Sequence, residues 1–343
     1  MGRVLGAQLP AGKFLAASFQ PMMRVFVTGG NGLIGSNVVR LLRSTNHEVR
    51  CLLRPGARTA RIDDQRVERI EGDVLDLASV ERGMAGCDGA IHLACLSAWD
   101  QIDSPAVESV AVEGTRNVLR AAGDRVRVVH ISSIAAVGAT RAPGLLNESA
   151  PFNLADEPGL RYAQAKHRSE QLCREAASRG ADVVIVNPAE TFGPGDTGLV
   201  TARTLIELLK RPLTLVCDGG TSLAYVEDVA AGIVAALTRG KTGERYILGG
   251  ENVSHRKLAL LCLEIAGLRR PVLTVPRFLL HASVRLAQRL GIRLPFPPAV
   301  VPYITRYWFV DNDKAVQELQ VTFRSARETL QPTIAWLRAE GHI

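Results

Sequence analysis

The chain has 343 residues, 47% hydrophobic and 22% charged, enough for one large or two modest domains with a sizeable core. That composition excludes a disordered chain, a collagen-like fibre and a small disulfide scaffold, and 5% aromatic residues argue against a stacking platform for single-stranded nucleic acid. The net charge of +7 comes almost wholly from arginine, spread from Arg3 to Arg338 without a basic run, so no nucleic-acid partner is expected.

Residues 1–22 make no convincing leader, because Gln8, Pro10 and Lys13 interrupt every apolar stretch; a flexible extension, or a translation start at Met22 or Met23, is expected. No window reaches the ~18 uncharged apolar residues of a membrane span, so no stable membrane insertion is expected. From residue 24 the chain alternates β-branched runs with helical patterns. Strands are expected at Arg24–Thr28, Glu48–Leu53, Val67–Glu71, Gly89–Leu93, Val126–Ile131 and Asp182–Val186, with helices near 33–45, 76–85, 103–123 and 160–179. This rhythm implies an α/β fold, a doubly wound parallel sheet covered on both faces.

After residue 187 proline and glycine thicken, at Asn187–Gly198 and again at Leu294–Pro302. Helices near 199–210, 226–239 and 254–267 and a strand at 244–248 are expected. The boundaries implied are a 1–22 extension, a 23–190 dinucleotide-binding domain and a 191–343 smaller C-terminal substrate lobe interleaved with the final sheet elements.

The first strand runs into Thr28-Gly29-Gly30-Asn31-Gly32-Leu33-Ile34-Gly35 and then a helix. Gly29, Gly32 and Gly35 permit a tight turn, close approach of a pyrophosphate and close helix–strand packing, while the opening amides, Leu33 and Ile34 among them, face the anion. Strand two ends at Arg54, with Arg58 and Arg61 beyond and no carboxylate before Asp63. An arginine there accommodates a 2′-phosphate, so NADP(H) is preferred, with NAD left open. Asp73 and Val74, after strand three, are placed to meet the adenine.

Tyr162 and Lys166 fall one turn apart on one helix. A neighbouring ammonium favours the phenolate and brings the phenol towards a working range. Past strand five come Ser132 and Ser133, where a serine can hold a substrate carbonyl beside the tyrosine; Ser133 is preferred.

The segments TGGNGLIG, GDV, HLA, SSIAAVG, YAQAK, TFGPGD and AYVEDVA, in that order, resemble the extended short-chain dehydrogenase/reductase family, also called the NAD-dependent epimerase/dehydratase family, over roughly residues 23–340. The resemblance implies a Rossmann domain with a variable substrate lobe and carries over Ser133, Tyr162 and Lys166 as catalytic residues. It further implies that Lys166 holds the nicotinamide ribose, that Ala94 and Pro188 line the cofactor, and that the helices near 103–123 and 160–179 form a homodimer. Where sugar-nucleotide members read RxxNxYGP, this chain has Asn187 and Glu190 in place of the Arg and Asn. The segment Ala111–Thr115 is similar to the dihydroflavonol reductase and cinnamoyl-CoA reductase branch, and Tyr246–Asn252 to a hopanoid-associated epimerase group. Reduction of a ketone or aldehyde of a small apolar or cyclic metabolite is therefore expected, with a sugar-nucleotide epimerase or dehydratase and a non-catalytic NADP(H) sensor as alternatives.

Residues 276–309, rich in Leu, Pro and aromatic side chains, read as an apolar lid, as ordinary packing, or as a peripheral membrane contact rimmed by Arg277, Arg285, Arg289 and Arg293. His92, His130 and His167 read as structural, since no metal-ligand spacing joins them. Six cysteines without a CxxC pair suggest a reduced, cytoplasmic protein.

Overall fold

A computed structural model describes residues 21–294 and 296–343. Residues 1–20 of the expected extension lie outside the described residues.

The first half alternates β1 (Arg24–Thr28), α1 (Leu33–Ser44), β2 (Glu48–Leu53), β3 (Glu68–Glu71), α2 (Leu77–Met84), β4 (Gly89–His92), α3 (Pro105–Ala122), β5 (Arg127–Ile131), α4 (Arg161–Ser178) and β6 (Val183–Pro188). The second half adds β7 (Glu190–Phe192), α5 (Ala202–Lys210), β8 (Thr214–Cys217), β9 (Gly220–Tyr225), α6 (Val226–Arg239), β10 (Arg245–Leu248), β11 (Glu251–Ser254), α7 (His255–Ala266), β12 (Val272–Val275), α8 (Arg277–Arg289), α9 (Val301–Ile304), β13 (Tyr307–Trp308) and α10 (Ala326–Ala339).

Seven strands pair in the order β10-β6-β5-β4-β1-β2-β3, all parallel. This is the doubly wound Rossmann sheet that the sequence implied. Winding runs outward from β1 to β3 and reverses at β4, so the paired strand ends Thr28 and His92 mark the switch point where ligands bind in such sheets. Both faces are covered. Val25 and Val27 pack towards a cluster that includes Val38 of α1 and Ile233 of α6, while Phe26 packs into one with Val80, Val118 and Cys173 of α2, α3 and α4. Burying a side chain of the size of Phe26 stabilises by about 1.5–3 kcal/mol.

The later elements contribute to both parts of the molecule. β10 closes one edge of the main sheet, whereas β9, buried along its whole length, centres a second sheet with β11, β7 and β13. A two-stranded ribbon, β8–β12, stands apart from both.

The structure departs from the sequence expectations chiefly beyond residue 187. β7, β8, β9, β11, β12, β13, α9 and α10 were not anticipated, whereas α8 falls in the 276–309 stretch for which a packing helix and loop was one of the readings. β9 begins at Gly220, directly after Asp218-Gly219, and the strands on either side satisfy its backbone. α10 did carry a local signal: Ser325 and Glu328 form a reciprocal capping box that marks the helix start.

Candidate active site

The site is built on the carboxyl ends of β1 to β6. At the end of β1 the backbone turns at Gly29 with φ +70°, where a Cβ would lie 2.9 Å from the Ala94 amide nitrogen. Glycine alone tolerates both the left-handed backbone and that approach. A Cβ on Gly35 would collide with the Gly29 carbonyl oxygen, so the first turn of α1 rests directly on the loop. α1 has no side-chain cap and no acidic residue in its first turn. The Leu33, Ile34 and Gly35 amides are therefore left to a ligand at a helix end whose dipole favours an anion. This cradle fits a dinucleotide pyrophosphate.

Arg54 stands exposed just past β2. Arg61 is the arginine that the structure brings to the glycine loop: it donates to the Asn31 carbonyl at 3.1 Å and to Thr197 Oγ1 at 2.7 Å. The Asn31 amide in turn donates to the Arg58 carbonyl at 3.0 Å. Asp73 closes the turn after β3 by accepting from the Leu75 amide at 2.9 Å, and Asn117 of α3 donates to the Val74 carbonyl at 2.9 Å, fixing that segment at the mouth of the crevice.

At the switch point a chain of hydrogen bonds sets one histidine tautomer. Thr115 donates to the Ala111 carbonyl at 2.6 Å, so it accepts from His92 Nε2 at 3.2 Å; His92 Nδ1 then accepts from Thr28 Oγ1 at 2.8 Å, which itself accepts from the Ala94 amide at 3.2 Å. Burial, reinforced by Lys166, pushes His92 down to about 3 and His130 well below its ordinary value. Both imidazoles are neutral at physiological pH. Their rings lie 5.5 Å apart and tilted at 38° to each other, and His130 Nε2 reaches Ser169 Oγ at 3.0 Å.

Lys166 is buried at 3% exposure and donates to the Ile131 carbonyl at 2.8 Å, with no carboxylate partner among the described residues. One turn earlier, the Tyr162 phenol is pushed up by burial, then by Cys95, and is opposed by a hydrogen bond from Ser133. The ammonium that the sequence argument placed beside the phenol is turned instead onto the end of β5, so Ser133 alone favours the phenolate here. Ser133 Oγ also accepts from the Ala135 amide at 3.1 Å, which orients it. Ser132 Oγ is buried without a partner.

Three buried residues beneath these groups escaped the sequence reading of the site. Asn187, at the end of β6, donates to the Ser133 carbonyl at 2.8 Å and to Glu170 at 2.5 Å. Glu170 also pairs with Arg245 of β10 at 3.3 Å. Its position four residues after Lys166, on one helix face, was the available signal. Beside Tyr162 an aromatic wall forms, with Trp99 edge-on to Tyr303 at 5.6 Å and Tyr303 stacked on Trp308 at 5.8 Å.

Glu190 of β7 shares a strand face with Phe192, which packs in the cluster of Leu223 and Cys262. Burial raises its carboxyl from the ordinary 4.5 to about 7, against a lowering hydrogen bond from Thr221. An unfolded chain loses this proton first as pH rises from 4.5 to 7, so the carboxylate costs stability above pH 7 and nothing below 4.5. Glu190→Gln should therefore stabilise the fold at pH 8 by about 2–3 kcal/mol and be nearly neutral at pH 4.5. Denaturant unfolding at both pH values checks this, and an identical gain at each would dismiss it.

A doubly wound sheet with a glycine cradle at its switch point and a Ser, Tyr and Lys around its carboxyl edge defines a nucleotide-dependent oxidoreductase. Residues 25–249 match the model of the NAD dependent epimerase/dehydratase family. The chain belongs to that family, the extended short-chain dehydrogenase/reductases, and is an NAD(P)-dependent enzyme. It is 33% identical to a Synechocystis sp. protein provisionally named dihydroflavonol 4-reductase, over 93% of this chain and 95% of that one. It is 32% identical to sterol demethylase protein B of Methylococcus capsulatus, over 94% and 100% of the two chains. It is also 31% identical to 4-hydroxy-2-methyl-3-oxo-4-farnesyl-3,4-dihydroquinoline-1-oxide ketoreductase of Stigmatella aurantiaca, over 93% and 97%. The crystal structure of gox2253 superposes with a TM-score of 0.81 at 30% identity, covering 93% of this chain and 99% of that one.

Proposed function

We propose that this protein reduces the ketone or aldehyde of a small apolar or cyclic metabolite, with NADPH as the preferred reductant. The observation that carries the proposal is the placement of Tyr162 on α4 beside Ser133 at the end of β5, one turn before a buried lysine with no carboxylate partner among the described residues. Bound at the glycine cradle, NADPH supplies hydride. Ser133 and Tyr162 hold the substrate carbonyl oxygen, and Tyr162 gives it a proton as negative charge develops there. Lys166, turned onto the Ile131 carbonyl at the end of β5, orients the ribose. Pro188, Ala94, Asp73 and Val74 form the remaining walls of the cofactor crevice.

The aromatic wall of Trp99, Tyr303 and Trp308 supports an apolar substrate, as do the sterol and farnesyl groups named for two relatives. Two arrangements support further parts of the reading. All six thiols are free, as in a reducing cytoplasm, and no helix among the described residues is long and apolar enough to cross a membrane. α3 and α4 lie together as the pair through which we infer a homodimer; a monomer on light scattering would remove that part.

Incubating purified protein with an apolar ketone panel and each cofactor tests the function. Faster turnover with NADPH and exchangeable cofactor is expected; tightly retained NAD with turnover of sugar nucleotides would replace the proposal by an epimerase. Arg54→Ala should weaken NADPH binding by about 2 kcal/mol, since a charge-assisted contact to phosphate is worth roughly 1.5–3 kcal/mol, and leave NADH unaffected. Equal losses for the two cofactors in a fluorescence titration would refute the 2′-phosphate role.

A further inference from the structure

Large apolar side chains are exposed at thirteen positions among the described residues, and eight of these belong to the β8–β12 ribbon, with Leu213 just before it, or to α8 and its immediate end. Leu215 and Leu273, 61% and 53% exposed, are register partners across the ribbon, which leads through Pro276 into α8. In α8 only Val284 and Ala287 are buried. At 100° per residue, Leu279, Leu286 and Leu290 fall within about 40° of one another, centred about 110° around the helix from the buried pair. Arg285, Arg289 and Arg293, all exposed, flank that stripe, and Phe278 lies among them.

The charge of this region is one-sided. Residues 265–310 contain seven arginines and no Asp or Glu. The ion pairs among the described residues include none of Arg277, Arg285, Arg289 or Arg293. The crowding of cation has a local effect: His281 is pushed down by burial and then by Arg285, Arg306, Arg277 and Arg141. An exposed leucine stripe beside unpaired arginine is the pattern of a helix lying in an interface, where apolar burial and attraction to anionic headgroups act together.

We propose that α8 and the adjoining ribbon dock this protein peripherally on an anionic lipid surface, leucines entering the interface and arginines meeting headgroup phosphates. The same segment runs on to Tyr303, which stands against Trp99 beside Tyr162, and Thr305 is tied back to His281 of α8 at 3.5 Å. Docking thus places the aromatic wall of the catalytic cleft next to the lipid, where an apolar carbonyl compound would be taken up. That last step rests on the reductase reading; the docking does not.

Co-sedimentation of the full chain with vesicles tests the surface separately from the chemistry. Vesicles of phosphatidylcholine containing roughly one-third phosphatidylglycerol should pellet the protein at least ~10-fold more strongly than phosphatidylcholine alone, with the difference collapsing in high salt. The triple variant R285E/R289E/R293E should lose that preference, and L279S/L286S/L290S should lose binding to both. Both variants should keep the wild-type circular-dichroism spectrum and urea unfolding midpoint, which excludes misfolding. Wild-type protein that fails to bind anionic vesicles, or variants that bind like wild type, would overturn the docking. A concentration-dependent dimer abolished by the serine substitutions, without vesicle binding, would assign the face to a second copy and equally overturn it.

Discussion

Tyr162→Phe is expected to lower ketone reduction by about 10²–10⁴-fold, the usual range for a lost general acid, while NADPH titrates with unchanged affinity. The substitution removes one oxygen and leaves the ring against its aromatic neighbours, so packing survives. The proton donor is what disappears: Ser133 still polarises the carbonyl, but the phenol beside it that gives up the proton is gone. Steady-state rates with stopped-flow cofactor binding separate the two effects. A variant that retains full rate would overturn the assignment of Tyr162, and a variant that also lost NADPH would show that the side chain serves the fold instead.

Glu170→Ala is expected to destabilise the protein by about 3 kcal/mol, the lower end for one partner removed from a buried pair. Glu170 is wholly buried and Arg245 is 6% exposed, so the guanidinium would be left with its charge uncompensated inside the protein. The loss is held to that lower end because Arg245 also donates to the Glu148 and Ala150 carbonyls, at 2.7 Å and 3.0 Å. Asn187 would lose its carboxylate partner as well, loosening its hold on the Ser133 carbonyl. Urea unfolding measures the effect, and Glu170→Ala combined with Arg245→Met should recover part of it, since an apolar pair of similar volume replaces a buried ion pair at little cost. A loss below about 1 kcal/mol would mean that the pair is silent.

The two substitutions divide between what was readable along the chain and what was not. Tyr162 and Lys166 declare themselves by helical spacing, and Gly29, Gly32 and Gly35 by following a strand and opening a helix. These are local requirements, because a turn at φ +70° and a helix face are determined by a few consecutive residues. The alternation of strands and helices up to residue 187 was legible for the same reason: strands buried on both faces show as unbroken apolar runs. Glu170 had only its spacing four residues after Lys166 to mark it, and the partners Arg245 and Ser133 that give Glu170 and Asn187 their roles lie 75 and 54 residues away in sequence.

The sequence by itself determined the class of fold, the glycine turn that opens the first helix and the Tyr162–Lys166 spacing on one helix face, because each depends on short-range backbone geometry. Tertiary structure alone decided how those groups behave. It turned Lys166 onto the Ile131 carbonyl, buried His92 and His130 as neutral rings, raised Glu190, and brought Arg61 rather than Arg54 to the glycine loop. The physical reason is desolvation and contact at long sequence separation. A side chain's charge state is set by how much water its neighbours exclude, and those neighbours are assembled only when β4, β5, β6 and β10 lie side by side in the sheet.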